Sequence, residues 1–341
     1  MSKFHLQLAP IKTSFRIQYP DKTFFIGSCF TENMSVKMQH YLFDTFENPH
    51  GILFNPISVN NALMDCVEKK MYTASDLFFY NDIWNSWHHH TRFSGVKQQE
   101  ALDKINTSIV TGHDYLKKAH HIVITLGSSW LYQLTKEAKY GTTGMVVANN
   151  HKAPSNWFSK RLMEPNELQK VLDKLIVGLK KINPSIHVIF TISPVRHLRE
   201  GAIENNRSKA VLIQGVHHAV QMHDQVEYFP AYEYVIDDLR DYRFYAEDLV
   251  HPNYAATNYV WEKWVASYMD SSTHILMQKV NELQQAVLHK PFFKGSEAHQ
   301  QFLVQTIQKA KDLKSSSPNI SVEKQLQFLE QELINSRNLG I

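Results

Sequence analysis

An amphipathic helix that runs straight into a buried strand limits the folds open to this chain more than any other feature. Residues Glu164 to Ile182 carry Leu168, Val171, Leu172, Leu175 and Leu179 at helical spacing, and Asn183-Pro184 ends the pattern. Directly behind comes Ile186-His187-Val188-Ile189-Phe190-Thr191-Ile192-Ser193, short and nearly all apolar, which predicts a strand buried on both faces. A helix between strands predicts a right-handed crossover and a parallel sheet.

Two further segments end in the same way, with an apolar run followed by a small polar turn. Thr23-Phe24-Phe25-Ile26 is followed by Gly27-Ser28, with Thr31 as the expected cap of a helix that carries Met34, Met38, Tyr41 and Leu42. Ala119 to Leu126 is followed by Gly127-Ser128-Ser129-Trp130. Helices are expected over Asn60 to Glu68, Ala210 to Met222 and onward from Tyr254, with a polar loop through Pro194 to Lys209 and a short strand around Val226 to Phe229. Residues Lys136 to Trp157, rich in Gly, Asn and Lys, read as a surface excursion able to cover a site. After Ser271 no β-rich run remains, and stripes such as Leu276, Val280, Leu283 and Val287, then Val322, Leu326, Leu329 and Leu333, predict helices broken at Lys314 to Pro318. The expected organisation is an α/β domain over residues 1–270 and a helical extension over 271–341. That extension would pack on the core or on a second subunit, so a homo-oligomer through its helices is one expectation.

Composition narrows the function classes. With 43% hydrophobic and 20% charged residues the chain can bury a large core. A net charge of only +3, with Lys and Arg spread along the chain, argues against a nucleic-acid or anionic membrane partner. Met1 to Pro20 lacks a basic leader with an apolar core, and no apolar run reaches the roughly 18 residues a membrane span needs. A cytoplasmic location is therefore the default expectation. Cys29 and Cys66 are the only cysteines, which fits a reducing compartment and leaves no thiolate zinc framework. His88, His89 and His90 suggest metal at first glance. On a strand only alternate side chains share a face, so at most His88 and His90 could act together; substrate contact or a plain surface position is expected of them, and no metal site is predicted.

The chemistry points to Ser28 and the Asp248-Leu249-Val250-His251 segment. A serine hydroxyl is a weak nucleophile at neutral pH and needs an imidazole to take its proton; the imidazole needs a carboxylate to hold its tautomer. One loop stiffened by Pro252 can supply both Asp248 and His251, and ligands of open α/β sheets bind at the carboxyl ends of strands, where Ser28 is expected. Cys29, beside the candidate nucleophile, is expected to pack as a small hydrophobe.

Gly27-Ser28-Cys29-Phe30 resembles the signature of GSCFA-domain proteins, which are similar to the SGNH (GDSL-like) hydrolase superfamily; Thr31 stands where the signature has alanine. The resemblance extends through Gly51 to Pro56, Leu126 to Trp130, Ser193 to His197, Asn205 to Lys209 and Asp248 to Pro252, in order. It implies a three-layer α/β/α fold with a mostly parallel, flavodoxin-like sheet, with Ser28 as nucleophile, His251 as base and Asp248 as orienting acid. It also implies an oxyanion hole from the Ser28 amide, the Gly51 amide and an asparagine, whose position Ser129 occupies here. Ser129 is shorter and its proton rotates, so Asn55 or Asn205 is an alternative donor.

The expected activity is that of a cofactor-free serine esterase, and the resemblance implies that it removes a small acyl group, such as acetyl, from a carbohydrate-like alcohol. Trp84, Trp87 and Trp130 suit stacking on a sugar, and Arg196, His197 and Arg207 either bind an anionic or sugar-like substrate or form a solvated loop. An acyltransferase using the same site, and a non-catalytic carbohydrate-binding protein, are the rival readings.

Overall fold

The computed structural model describes residues 6–339; the expected domain ends at Met1 and Ile341 lie outside that range. In chain order the elements are β1 (Lys22–Gly27), α1 (Cys29–His40), β2 (Asp44–Glu47), α2 (Pro56–Glu68), β3 (Phe78–Tyr80), β4 (Ile83–Asn85) and α3 (Gln98–Leu116). Then come β5 (His121–Leu126), β6 (Trp130–Leu134), β7 (Phe158–Leu162), α4 (Pro165–Ile182), β8 (His187–Ile192), α5 (Ala202–Met222), β9 (Val226–Phe229), the short α6 (Ala231–Glu233) and α7 (Tyr254–Tyr268). Three helices follow: α8 (Ser271–Leu288), α9 (Glu297–Ser316) and α10 (Glu323–Leu339).

The chain forms two compact units. The larger contains Lys22–Ser35 and Thr45–Ser267. Its centre is a five-stranded sheet in the order β2-β1-β5-β8-β9, in which the β1–β5, β5–β8 and β8–β9 pairs are parallel. The alternation of strand side chains explains why both faces are covered. Phe24, Ile122, Val188 and Val226 stand in register across four strands and pack with Val59, Leu63, Leu172, Leu175, Leu212 and Val216 of α2, α4 and α5. On the opposite face Phe25, Val123 and Ile189 are also buried, and Phe229 meets Trp264 of α7 edge-on at 5.0 Å. The result is a three-layer α/β/α arrangement of flavodoxin-like order, plus helices at the C-terminal end of the chain. Two antiparallel hairpins, β3–β4 and β6–β7, lie outside the sheet.

Four details differ from the sequence reading. Helix α1 begins at Cys29, so Thr31 is not its cap but lies inside it. Helix α5 begins at Ala202 rather than Ala210, because its buried stripe opens with Asn205, Ser208 and Lys209 before it reaches Leu212, Gly215, Val216 and Ala219. The spacing is helical throughout, but a search for apolar residues passes over the polar half. His88 to His90 lie in a turn after β4, so strand alternation does not govern them. The C-terminal region holds three helices, with an additional break between Leu288 and Glu297.

The smaller unit consists of Phe15–Asp21, Val36–Asp44 and the chain from Tyr268 on. Helices α8, α9 and α10 pack through Val280, Leu283, Leu303, Ile307, Leu326 and Leu329, all buried. The N-terminal pieces join this unit by specific contacts. Ile17 donates its amide to Tyr268 O at 2.9 Å, Tyr19 stacks on Phe43 at 4.4 Å, and His40 Nε2 meets Asn281 Oδ1 at 2.9 Å. No described helix is long and apolar enough to cross a membrane.

Candidate functional site

The turn between β1 and α1 is dictated by close approach of two strands. Gly27 has φ of +135°, and a Cβ there would lie 2.0 Å from Thr125 O, so no other residue fits. Its amide donates to Asn48 Oδ1 at 2.9 Å, and the next amide, that of Ser28, donates to Thr125 O at 3.2 Å. Ser28 is thereby held at the carboxyl end of β1 beside the end of β5, the point where strand order reverses in a sheet of this type. The residue is fully buried, and among the described residues its Oγ has no hydrogen-bond partner. A buried polar group left unpaired costs about 1–3 kcal/mol, so such a hydroxyl calls for a functional explanation. Cys29, by contrast, has its thiol pushed above the ordinary value, chiefly by burial, which keeps it a poor thiolate.

Asp248 and His251 form a self-contained unit between β9 and α7. Asp248 Oδ1 accepts the amides of Val250 and His251 at 2.9 and 3.0 Å, while Oδ2 lies 2.6 Å from His251 Nδ1. The His251 amide, followed by its imidazole and the Val250 amide, brings the Asp248 carboxyl down to about 2. An Nδ1–H donated to a carboxylate leaves the Nε2 lone pair free to take a proton. Arg196 donates its amide to Val250 O at 3.1 Å, which ties this loop to the segment leaving the carboxyl end of β8. Both side chains are about half exposed, and no hydrogen bond joins His251 to Ser28 Oγ.

A cleft of about 510 Å³ opens at this edge, and His251, Asn55, Trp130, Arg196 and His197 are among its lining residues. Val147 to Asn150 of the excursion expected as a cover line it too. Ser28, Gly51, Ser129, His88, His90 and Asn205 do not. Asn55 caps α2, its Oδ1 accepting the Ser58 amide at 2.8 Å and its Nδ2 donating to Ser58 Oγ at 3.0 Å. Asn205 accepts the His197 amide at 2.9 Å and so holds the loop after β8. Arg196 lies over the rings of Tyr242 and Tyr245. His197 has a buried Nε2 without a partner among the described residues and meets Phe54 edge-on at 5.2 Å. Burial first, then Lys209 and His251, hold its imidazole down at about 3, so it is neutral at physiological pH.

The expected oxyanion donors all have acceptors within the protein. The Gly51 amide donates to Asn48 O at 2.8 Å, and glycine is required there because a Cβ would lie 2.4 Å from His90 Cβ. Ser129 donates its hydroxyl to Ser208 O at 3.0 Å and its amide to Ser208 Oγ at 2.8 Å, turning away from the cleft toward α5. The Ser28 amide is the one on Thr125 O. Beside Gly51, Arg92 pairs with Glu32, which also accepts from Asn48 Nδ2 at 3.0 Å.

The histidines of the triple run separate. His89 is buried and stacks on His50 at 3.9 Å, the His88 carbonyl faces His50 Nδ1 at 3.2 Å, and His90 accepts the Arg92 amide. Among the described residues no group of three or more His, Cys, Asp or Glu is placed to hold a metal ion. The sequence reading missed Ser208 and Lys209 as structural hubs. Lys209 Nζ donates to Gly127 O at 2.8 Å and Ser193 O at 2.6 Å, the first residues beyond β5 and β8. The signal was present as the helical spacing of Asn205, Ser208, Lys209 and Leu212.

Comparison with known proteins adds a family and two distant structural likenesses. The chain is similar to the lipase Lip_vut3 from a goat rumen metagenome, at 11% identity over 73% of this chain and 98% of that one, with a TM-score of 0.35. It is similar also to the acetyl xylan esterase Est2A from the rumen bacterium Butyrivibrio proteoclasticus, at 11% identity over 76% of this chain and 64% of that one, with a TM-score of 0.36. No curated protein matches the chain. The GSCFA family matches residues 22–264, and the C-terminal domain of GSCFA domain proteins matches residues 280–335. The chain belongs to the GSCFA family.

Proposed function

We propose that this protein is a serine ester hydrolase of the SGNH type, acting through Ser28, His251 and Asp248. The observation that carries the reading is the Asp248–His251 pair at 2.6 Å, tied to the same carboxyl edge of the sheet at which the unpartnered Ser28 hydroxyl stands. A carboxylate on Nδ1 serves no evident packing purpose on an exposed loop, but it prepares Nε2 as a base. In the reaction, Ser28 Oγ attacks the acyl carbon while its proton passes to His251 Nε2. The tetrahedral intermediate collapses as that proton moves to the leaving alcohol, and water deprotonated by His251 then releases the acid and restores Ser28. Because Ser28 is closed off in this structure, the cycle requires its hydroxyl and the His251 loop to approach each other when substrate enters. Trp130 and Tyr132 on the cleft wall suit a carbohydrate-like alcohol, and a small acyl group such as acetyl fits the confined nucleophile. With a sugar hydroxyl in place of water the same site becomes an acyltransferase.

A second reading has its own support. Every expected oxyanion donor is engaged within the protein, which suits a chain that keeps the pocket and binds carbohydrate without turnover. A fluorophosphonate probe separates the two. The esterase reading expects labelling of wild type that is lost in Ser28→Ala and kept in Cys29→Ala; folded wild type that never labels favours the binding protein.

A further inference from the structure

Lys209 is unusual for a lysine, since only 1% of it is exposed. It reaches inward from α5 and donates to two carbonyls at the carboxyl ends of neighbouring parallel strands, Gly127 O and Ser193 O. A third N–H of the ammonium has no hydrogen-bond partner and no carboxylate in ion-pair range among the described residues. The titratable groups that face it are Cys29 at the start of α1, His197 on the loop after β8, and Tyr232 of α6, whose ring centre lies 5.7 Å from Nζ. Cys29 adjoins Ser28, and His197 lines the cleft beside His251. A buried cation without a counter-ion is expensive, and burial accordingly lowers Lys209 to about 7.

We propose that Lys209 is a positioning residue for the Ser28 reaction: it clamps the turns after β5 and β8 and holds an uncompensated positive charge at the carboxyl edge of the sheet where Ser28 stands. This rests on the esterase reading above. The negative charge that forms on the acyl oxygen finds few free amides at this edge, but it finds a fixed cation in a dry site, where such a field acts most strongly. The Ser208 carbonyl and hydroxyl, which hold Ser129, belong to the same turn of α5, so one helical turn supports both strand ends. The sign of the pH effect follows. Lys209 must be protonated to supply its charge, so activity falls as pH rises through about 7.

The test is hydrolysis of p-nitrophenyl acetate by the full chain across pH, with Ser28→Ala as the blank. Wild type is expected to lose rate above pH about 7. Lys209→Met should lower kcat on the order of 10²-fold with KM nearly unchanged. Lys209→Arg, which stays charged, should recover part of that loss and abolish the alkaline fall. Lys209→Met with wild-type kcat and pH profile overturns the proposal and leaves the esterase standing. A wild-type rate that stays level above neutrality overturns it as well, even if Lys209→Met does not fold. Absence of any Ser28-dependent hydrolysis sinks the esterase reading and this proposal together.

Discussion

The two halves of the candidate site are built in opposite ways. Ser28 sits on a turn made by the sheet, with Gly27 pressed on Thr125, its own amide on Thr125 O and no solvent exposure. Asp248 and His251 sit on an exposed loop whose decisive hydrogen bonds all fall within four consecutive residues. Ser28 is therefore only as well placed as the global fold, whereas His251 carries its own orientation and needs the fold only for delivery. Arg196 on Val250 O is the hydrogen bond that links the loop to the segment after β8.

The contrast is open to direct attack. Gly27→Ala places a methyl against backbone oxygen at a φ of +135°, and a loss of folding stability of about 4 kcal/mol or more is expected. Chemical denaturation measures it, and a near-normal midpoint would mean that the turn relaxes and Ser28 is not rigidly held. His251→Ala should do the reverse. On the proposed esterase reading, ester hydrolysis should fall by about 10³–10⁴-fold while stability moves by less than about 0.5 kcal/mol, as is usual for an exposed side chain. A comparable loss of thermal midpoint would show that the loop is structural.

Acid provides a gentler separation. His50 and His197 are held down at about 3 and His151 at about 4, burial being the main cause in each, against an ordinary value of 6.5. The unfolded chain thus takes up protons that the folded one refuses, so the melting temperature is expected to drop as pH falls from about 6.5 toward 4. Asp248, with its folded value depressed to about 2 from 3.8, stays ionised against His251 throughout that range, and its contribution to stability is lost only as pH falls from 3.8 through about 2. Melting curves and histidine ring resonances recorded on one pH series test this order. A melting temperature level down to pH 4 would contradict the burial of the three imidazoles.

How much of this could be read from residues alone depended on whether burial and polarity agreed. At Phe24, Ile122 and Val188 they agree, and the sheet, its parallel crossovers and the Gly27-Ser28 turn were all anticipated. Along α5 they disagree, because Asn205, Ser208 and Lys209 are buried to hold carbonyls and hydroxyls at the strand ends, so the first half of that helix read as a loop. The histidine run misled for a related reason: adjacent residues in a turn go to separate neighbours, His89 to His50 and His90 to Arg92.

Local chemistry in the sequence was sufficient to predict elements whose hydrogen bonds close over a few residues, including the Asp248 to His251 unit and the stop of α4 at Asn183. Tertiary structure alone decided which donors remain free. The Gly51 amide on Asn48 O, Ser129 on Ser208 and Lys209 on two strand ends are partnerships between separate elements in all but the first case, and that first one depends on a turn packed against His90. A donor's availability is a property of what the rest of the chain brings to it, and that becomes defined only when the layers have closed.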